Sequence, residues 1–305
     1  MKTRTVLIML TLFNVCQPAF AEIQINISVD WEGRSITANN LRAIEAFNQE
    51  FGKIPVLHFL NAAYFTKPDV NFAQVAREMR SALDANDVVG LHIHAWKSLM
   101  TSAGVEYRNT PNWNSGAESC DPDCGHGVPL TAYATEELQK VIRYSADTLV
   151  QQGFPRPIAF RAGGWMANLN VMQALAANKF RYDYSGLNRD VIRGSQPEIY
   201  RWTANLWSHI TNLTQPYVIE AAANLIEVPN NGCLADYMPA RKMIAVWEEY
   251  VRAWQANPRA DYFISFGFHQ ETAAVYSSRV AEALRVIIAA AAQRHIPLSF
   301  VAYPK

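Results

Sequence analysis

The sequence has no excess charge of either sign, because its 305 residues include 27 Lys and Arg against 27 Asp and Glu. A neutral chain lacks the basic surface that binds nucleic acid, so we expect no nucleic-acid partner. Internal repeats and low-complexity linkers are also missing, which argues against repeat arrays and tethered modules. Half of the residues are apolar, and the chain is long enough for one large α/β barrel or two smaller domains.

Long hydrophobic runs are scarce as well. The run at the N-terminus, VLIMLTLF, follows Lys2 and Arg4 and is too short to span a bilayer. It precedes Ala19-Phe20-Ala21, which forms an A-x-A cleavage site, and no later stretch is apolar enough to cross a membrane. The pattern predicts a cleavable signal peptide over residues 1–21 and a single domain over residues 22–305. We therefore expect a periplasmic or secreted protein with no membrane span in the mature chain.

Cysteine is sparse, and one of the four cysteines, Cys16, lies within the predicted signal peptide. Cys120 and Cys124 flank the turn-forming tripeptide DPD, so we expect a short-loop disulfide between them in an oxidising compartment. A pair that involves Cys233 is the alternative, and one thiol is left over in either case. A zinc site built on cysteines is disfavoured, because no second closely spaced pair is present.

The sequence does contain a regular succession of strand-like and helix-like runs. In the first strand, IQINISVD at 23–30, apolar and polar residues alternate. Helix-like runs separate the later strands, and two long loop regions lie at about 100–130 and 185–222. The later strand-like runs are PVLHFL (55–60), VVGLHIHAW (88–96), PIAFRAGGW (157–165), RYDYS (181–185), NLIEVP (224–229), DYFISFGFH (261–269) and PLSFVAY (297–303). This order predicts about seven or eight β/α units that close into a barrel of parallel strands.

Ionisable residues gather where several of these strands end. They are Asp30 and Glu32 after the first strand, His92 and His94 on the third, Arg161 on the fourth and His269 on the strand at 261–269. Each has an ordinary alternative: Asp30 could cap a turn, His269 could be a hydrogen-bonded core residue, and a lone H-x-H pair is more often structural. Because the C-terminal ends of parallel strands meet at one face of a barrel, we expect the six to share a pocket.

The chemistry of this set is coherent. Two imidazoles and one carboxylate form a three-ligand site for Zn²⁺ or a similar divalent ion, with positions left open for water and substrate. Asp30 and Glu32 are two residues apart, so both can face inward. One can then hold the metal while the other takes a proton from the attacking water, and the metal stabilises the oxyanion. His269, across the pocket, could protonate the leaving group.

Four motifs, in this order and at these separations, resemble the polysaccharide deacetylase family, the NodB-homology group that is also classed as carbohydrate esterase family four. They are SVDWEG (28–33), GLHIHAW (90–96), FRAGGW (160–165) and FGFHQET (266–272). VPLTAY, FRYDYS and LADYMP fit a branch of that family, and the resemblance covers about residues 23–300. It implies the NodB-type deacetylase barrel, a distorted (β/α)-barrel of about seven parallel strands. It also implies metal-dependent removal of acetyl groups from N- or O-acetylated sugars.

The resemblance implies roles for the first two motifs. The first motif of the family is usually two adjacent aspartates, the base and then a metal ligand. Here Trp31 intervenes, so Asp30 matches the base and Glu32 the ligand, although the two roles could be exchanged. The second motif usually spaces its histidines four apart, whereas the spacing here is two. His92 matches the first histidine, and His94 replaces the second if the backbone stays extended. The implied metal ligands are Glu32, His92 and His94, with Zn²⁺ as the expected ion.

The later motifs imply the remaining site residues. Arg161 matches the arginine that orients the base carboxylate, and His269 matches the histidine that acts as general acid. Trp165 matches an aromatic residue that shapes the sugar site. Asp183 is a further candidate for the substrate site, as a partner for Arg161.

We therefore predict an exported, metal-dependent hydrolase that removes acetyl groups, in the first place N-acetyl groups, from a polysaccharide or oligosaccharide. A non-catalytic glycan-binding protein on the same barrel is one alternative, because the first and second motifs depart from the family pattern. Hydrolysis of another C–N bond, such as that of a cyclic amide, is a second alternative, although export argues against it.

Overall fold

The computed structural model describes residues 21–52, 54–114 and 119–305. The predicted signal peptide lies outside these residues, apart from Ala21. Within the described residues, nine strands form a single sheet. They are β1 (Ile23–Asp30), β2 (Val56–Leu60), β3 (Val88–Ile93), β4 (Ala159–Ala162), β5 (Tyr182–Asp183), β6 (Tyr217–Ile219), β7 (Leu225–Glu227), β8 (Tyr262–His269) and β9 (Leu298–Phe300).

The strands follow the order β6-β7-β5-β4-β3-β2-β1-β8, and β9 pairs with the first half of β1. All pairs are parallel except β6 with β7, which is antiparallel. The predicted sheet of parallel strands is confirmed. The described residues form more strands than the expected seven or so, partly because the three-residue β6 lies in the region 185–222, which the sequence pattern assigned to a loop.

Helices follow most strands and cover the outside of the sheet. Side chains cap several helix starts: Asn71 accepts a hydrogen bond from the Gln74 amide and Asn168 accepts one from the Val171 amide. None of the helices in the described ranges has the length and apolarity that membrane spanning requires. The helices are α1 (Ala38–Phe51), α2 (Phe72–Ser81), α3 (Lys97–Ser102), α4 (Thr135–Gln151), α5 (Leu169–Ala177), α6 (Pro197–Trp202), α7 (Ala240–Ala256) and α8 (Ala273–Gln293).

Two apolar clusters lie on the two faces of the sheet. The larger joins the apolar residues of β1, such as Ile25 and Val29, to helix residues such as Leu284 of α8. The smaller cluster lies on the other face. It contains those residues of the neighbouring strands whose side chains point away from the larger cluster, such as Phe59 of β2. On this inner face β1 carries polar side chains, Asn26 and Ser28, which hydrogen-bond across the sheet. The apolar residues of β1 therefore face the helices and its polar residues face the barrel interior, as the predicted alternation requires.

An irregular segment, residues 230–235, follows β7 and packs against β8 at the opposite edge of the sheet. The amides of Gly232 and Ala235 donate to the carbonyl oxygens of Ser265 and Gly267 on β8, at 3.1 and 2.7 Å. The Asn231 side chain also pairs with the β8 backbone, accepting from the Ser265 amide at 2.9 Å. These contacts bring the β7 side of the sheet against β8, so the strand ends surround one common space.

Candidate active site

A cavity of about 190 Å³ opens where the strands end. Strand register positions two pairs in its wall: Asp30 lies opposite His269, and His92 lies opposite Arg161. Apart from Asp183, every residue that the sequence assigned to the site lines this cavity. These lining residues are Asp30, Glu32, His92, His94, Arg161, Trp165 and His269.

The carboxylate of Glu32 lies at the centre of the cavity, surrounded by imidazole rings. One of its oxygens is 3.2 Å from His92 Nε2 and 3.4 Å from His269 Nε2. The other is 2.8 Å from His94 Nε2 and 2.6 Å from His126 Nε2. Burial alone would raise the pKa of Glu32, but the neighbouring histidines outweigh it and hold this pKa well below its usual value. Glu32 is therefore an anion in a ring of imidazoles.

The hydrogen bonds of His92 and His94 fix which ring nitrogen carries the proton. His92 Nδ1 lies 2.9 Å from the Arg161 carbonyl oxygen, and His94 Nδ1 lies 2.7 Å from the His126 carbonyl oxygen. A carbonyl only accepts, so each Nδ1 is a donor, and in the neutral tautomer the lone pair available to a metal is on Nε2. Both Nε2 atoms are buried without a hydrogen-bond donor. Lone pairs that converge on a carboxylate are the arrangement that fits a divalent cation between them.

The backbone around His94 differs from the prediction in one respect. The sequence placed both histidines on one strand, but β3 ends at Ile93 and His94 follows directly after it. Its ring packs against the backbone of Gly163, where an added Cβ would lie 2.6 Å from the ring. The first glycine of the FRAGGW motif therefore makes the space that this imidazole occupies.

Asp30 is paired with Arg161 across the barrel interior. The guanidinium Nη1 donates to Asp30 Oδ1 at 2.6 Å and to Ser28 Oγ at 2.9 Å, and Nε donates to the Tyr184 carbonyl oxygen at 3.1 Å. The guanidinium also lies 4.5 Å from the centre of the Phe59 ring. Both charges are buried, so the pair holds the Asp30 carboxylate in one orientation at the cavity wall.

Trp31 accounts for the spacing of the two carboxylates. Its side chain is fully buried on the opposite side of the chain, where its Nε1 donates to His58 Nδ1 at 3.2 Å. His58 Nε2 then lies 3.2 Å from the Asp87 carboxylate. Because the intervening residue points into this core network, Asp30 and Glu32 both face the cavity.

His269 is held by a residue that sequence reasoning missed. Asp236 lies 3.1 Å from His269 Nδ1 and accepts the His269 backbone amide at 3.2 Å. Burial lowers the pKa of His269, but Asp236 and Glu32 outweigh it and raise the pKa to about 10, so the ring is protonated at neutral pH. The sequence feature that could have identified Asp236 is the LADYMP stretch, which contains this residue.

His126 is the second residue that sequence reasoning missed. It lies in the long loop at about 100–130, directly after the Cys120–Cys124 disulfide, whose pairing the structure confirms. Glu32, His94 and His126 have ligand atoms that all lie within 4.8 Å of one another. This compact set shares two residues with the predicted ligands and contains His126 in place of His92. The sequence feature that could have identified His126 is its position between two glycines, in a loop that contains a predicted disulfide.

The backbone that carries Glu32 is fixed by two further side chains. The Glu271 carboxylate accepts the Glu32 amide at 3.1 Å and also bonds the Tyr64 hydroxyl. Trp96 donates from Nε1 to the Glu32 carbonyl oxygen at 2.9 Å. Gly33 continues this turn with φ of 78°, and an added Cβ would meet Trp96 Nε1 at 2.8 Å. Trp96 is therefore a structural clamp for the Glu32 backbone.

Aromatic side chains form another part of the cavity wall. Trp165 and Trp113 both line it, and both are largely buried. Trp165 has φ of 56°, an unusual value for a bulky residue, and its carbonyl oxygen accepts from Trp207 Nε1 at 2.6 Å. Trp207 thus supports Trp165 from behind. Trp202, the other tryptophan of the segment 185–222, is partly exposed and does not line the cavity.

Asp183 is the one predicted site residue that the structure does not bring to the cavity. It is fully buried on β5, where its carboxylate bonds the amide and hydroxyl of Ser185, and no ion pair with Arg161 forms. Arg161 uses Asp30 instead. Burial raises the pKa of Asp183 to about 6, and the neighbouring Glu227 shares a hydrogen bond with it. The residue therefore belongs to the packing around β5 and β7, away from the expected substrate site.

Comparison with proteins of known structure identifies the fold. A proposed polysaccharide deacetylase from Mycobacterium smegmatis superposes with a TM-score of 0.53 and 13% identity, over 94% of this chain and 89% of the other. The chain has the polysaccharide deacetylase fold.

Two further similar structures are a family 4 carbohydrate esterase and a pseudoenzyme. The esterase, from Streptomyces lividans in complex with acetate, has a TM-score of 0.45 and 10% identity, with 91% of each chain covered. The pseudoenzyme, a CE4 family member from Bacillus anthracis, has a TM-score of 0.40 and 8% identity, over 93% of this chain and 64% of the other. No protein-family model and no curated protein matches the sequence.

Proposed function

We propose that the protein is a metal-dependent carbohydrate deacetylase that hydrolyses acetyl groups, in the first place N-acetyl groups, on a polysaccharide or oligosaccharide. The observation that carries this proposal is the position of Glu32 among buried imidazole Nε2 atoms, beside the Asp30–Arg161 pair. Glu32, His92 and His94 would hold a divalent ion, with Zn²⁺ as the first choice for an N/O ligand set. When bound, the ion would supply Lewis-acid stabilisation of developing negative charge.

The chain's own residues supply the proton transfers in this proposal. Asp30 takes a proton from the attacking water, and Arg161 holds this carboxylate in one orientation, with 2.6 Å between Nη1 and Oδ1. On the other side of the cavity His269, protonated and held by Asp236, gives a proton to the departing amine or alcohol. His269 thus begins the reaction with the proton that a general acid must give.

The cavity also favours a substrate with a small reacting group. Its volume of about 190 Å³ and its walls of Trp113 and Trp165 suit an acyl group at the bottom with a sugar ring at the mouth. The proposed substrate is therefore a carbohydrate rather than a cyclic amide. We further propose export through the N-terminal segment 1–21, where a basic start, an apolar run and an A-x-A site support a signal peptide.

Acetate release from N-acetylated and O-acetylated oligosaccharides tests this function. The purified protein should lose activity after treatment with a chelator and regain it when Zn²⁺ is added back. His209→Gln, a change at a histidine that does not line the cavity, is the matched control and should respond like the wild type. Full activity in a preparation shown to be metal-free would overturn the proposed mechanism. Sugar binding without acetate release on either substrate class would favour the glycan-binding alternative.

A further inference from the structure

His126 reaches the Glu32 carboxylate from outside the strand framework. Its ring stacks on the His94 ring with 3.8 Å between centroids, and its Nε2 lies 2.6 Å from Glu32 Oε2. The ring is largely buried. The Nε2 atom of His126 therefore joins those of His92, His94 and His269 around the same carboxylate, although the sequence did not place His126 there.

The loop that carries His126 is anchored on the residues that follow β3. The Lys97 amide donates to the Cys124 carbonyl oxygen at 2.7 Å, and Asp123 accepts the Ser98 amide at 3.1 Å. Gly125 has φ of 105°, and an added Cβ would lie 2.2 Å from the Ala95 carbonyl oxygen. The loop thus follows the chain around His94 closely, and His126 is held at this site by several independent contacts.

Arg34 sets the proton position on His126. Its Nη2 lies 2.9 Å from His126 Nδ1, and a guanidinium can only donate. Nδ1 is therefore the acceptor, and the neutral ring carries its proton on Nε2, directed at Glu32. This is the opposite tautomer to that of His92 and His94, and a protonated Nε2 cannot coordinate a metal. Arg34 is exposed, and within the described ranges its guanidinium has no carboxylate partner within 4.0 Å.

We propose that His126 is a further ligand of the divalent ion and that Arg34 holds it in the metal-free tautomer. With a metal bound, Nε2 of His126 would be a ligand only without its proton, so this proton would move to Nδ1 through solvent and the guanidinium would leave Nδ1. No net proton is released by this ring. This inference rests on the metal site of the proposed function, and it makes metal affinity depend on a residue that contacts no metal.

Titration calorimetry with Zn²⁺ on chelator-treated protein tests both parts. His126→Ala should weaken binding tenfold or more, by analogy with losses at groups that support metal ligands. Arg34→Ala should tighten binding, because it removes the competing donor. Arg42→Ala, an exposed change whose arginine contacts only Asn39 among the described residues, is the matched control and should bind as the wild type does.

A second measurement keeps the proposal falsifiable if His126→Ala folds poorly. Long-range ¹H–¹⁵N spectra of the wild type should report His126 protonated at Nε2 without metal and at Nδ1 with Zn²⁺. Unchanged affinity in His126→Ala, or an Nε2 proton that persists after loading, would overturn the ligand role. Equal or weaker binding in Arg34→Ala would overturn the role of Arg34. Wild-type protein that binds no Zn²⁺ at all would instead contradict the proposed function.

Discussion

Arg161 and Asp30 form an ion pair inside the barrel, with 2.6 Å between Nη1 and Oδ1 and both side chains almost completely buried. Replacing one partner of such a pair leaves the other charge uncompensated in the interior. We expect Arg161→Met to lower the free energy of unfolding by roughly 3–5 kcal/mol, as measured by chemical denaturation. Activity should fall as well, because the orientation of Asp30 is lost.

A surface pair provides the control for this prediction. Arg285 pairs with Glu50 through two hydrogen bonds, but both side chains are exposed. Arg285→Met should therefore leave the free energy of unfolding close to that of the wild type. Similar losses of unfolding free energy in the two variants would contradict the prediction that burial makes the Asp30–Arg161 pair more important for stability than a surface pair.

Asp30→Asn separates catalysis from binding. Loss of the proposed base should lower kcat by roughly 10²–10⁴-fold. The change also leaves the Arg161 charge without its partner, so the comparison is made on folded protein, in which Zn²⁺ binding and oligosaccharide binding should remain because Glu32 and the aromatic wall are untouched. Acetate release and sugar binding should be measured on the same preparation. Asp147→Asn, an exposed change on α4, is the control and should keep the full rate. A variant that still turns over at the wild-type rate would exclude Asp30 as the base.

The parts of this site that follow strand periodicity could be predicted from the sequence. Alternation along β1 predicts that Asp30 and Glu32 face the same side, and the order of β/α units predicts that the ends of β1, β3, β4 and β8 converge. The structure places the corresponding residues in one cavity. What decides these positions is local: each residue lies on or directly after a strand.

Residues on irregular segments could not be located in the same way. His126 reaches the cavity because Gly125 and Asp123 pack against the residues after β3, and Asp236 reaches His269 because residues 230–235 pair with β8. Both depend on contacts between distant parts of the chain, which no local pattern encodes. Asp183 lies outside the cavity for a related reason: its carboxylate bonds Ser185 beyond the end of β5, a contact that strand periodicity does not encode.

The network behind Trp31 predicts how stability depends on pH. The Asp87 carboxylate accepts the Val56 and Asp84 amides at 2.9 and 2.8 Å and contacts His58. Burial opposes the charge, but the hydrogen bonds from His58 and these amides outweigh it and lower the pKa of Asp87. A lowered folded-state pKa gives stability that is present above the unfolded pKa of about 3.9 and is lost as the pH falls through the folded value.

Asp87→Asn should therefore remove part of the acid dependence. We expect it to cost roughly 1–3 kcal/mol near pH 7 and progressively less as the pH approaches 3, so that the two unfolding curves converge. Denaturation midpoints between pH 3 and 7 measure this. Asp84→Asn, an exposed carboxylate in the same turn, should follow the wild type at every pH. A constant difference between Asp87→Asn and the wild type across the range would contradict the linkage.

The disulfide between Cys120 and Cys124 should matter more for metal binding than for folding. The ring that it closes is short, so its contribution to the free energy of unfolding should be about 2 kcal/mol or less. It lies directly before His126, however, and restrains the segment that brings this ring to Glu32. Replacing both cysteines by serine should therefore weaken Zn²⁺ binding several-fold while the cooperative unfolding transition is kept.

Reduction of the wild type, with the reductant removed before titration, should reproduce the effect. The same treatment should leave the double variant unchanged, because Cys233, the thiol that remains in the part of the chain that the structure describes, is buried. Wild-type affinity in the double variant would show that the Gly125 and Asp123 contacts position His126 without the disulfide.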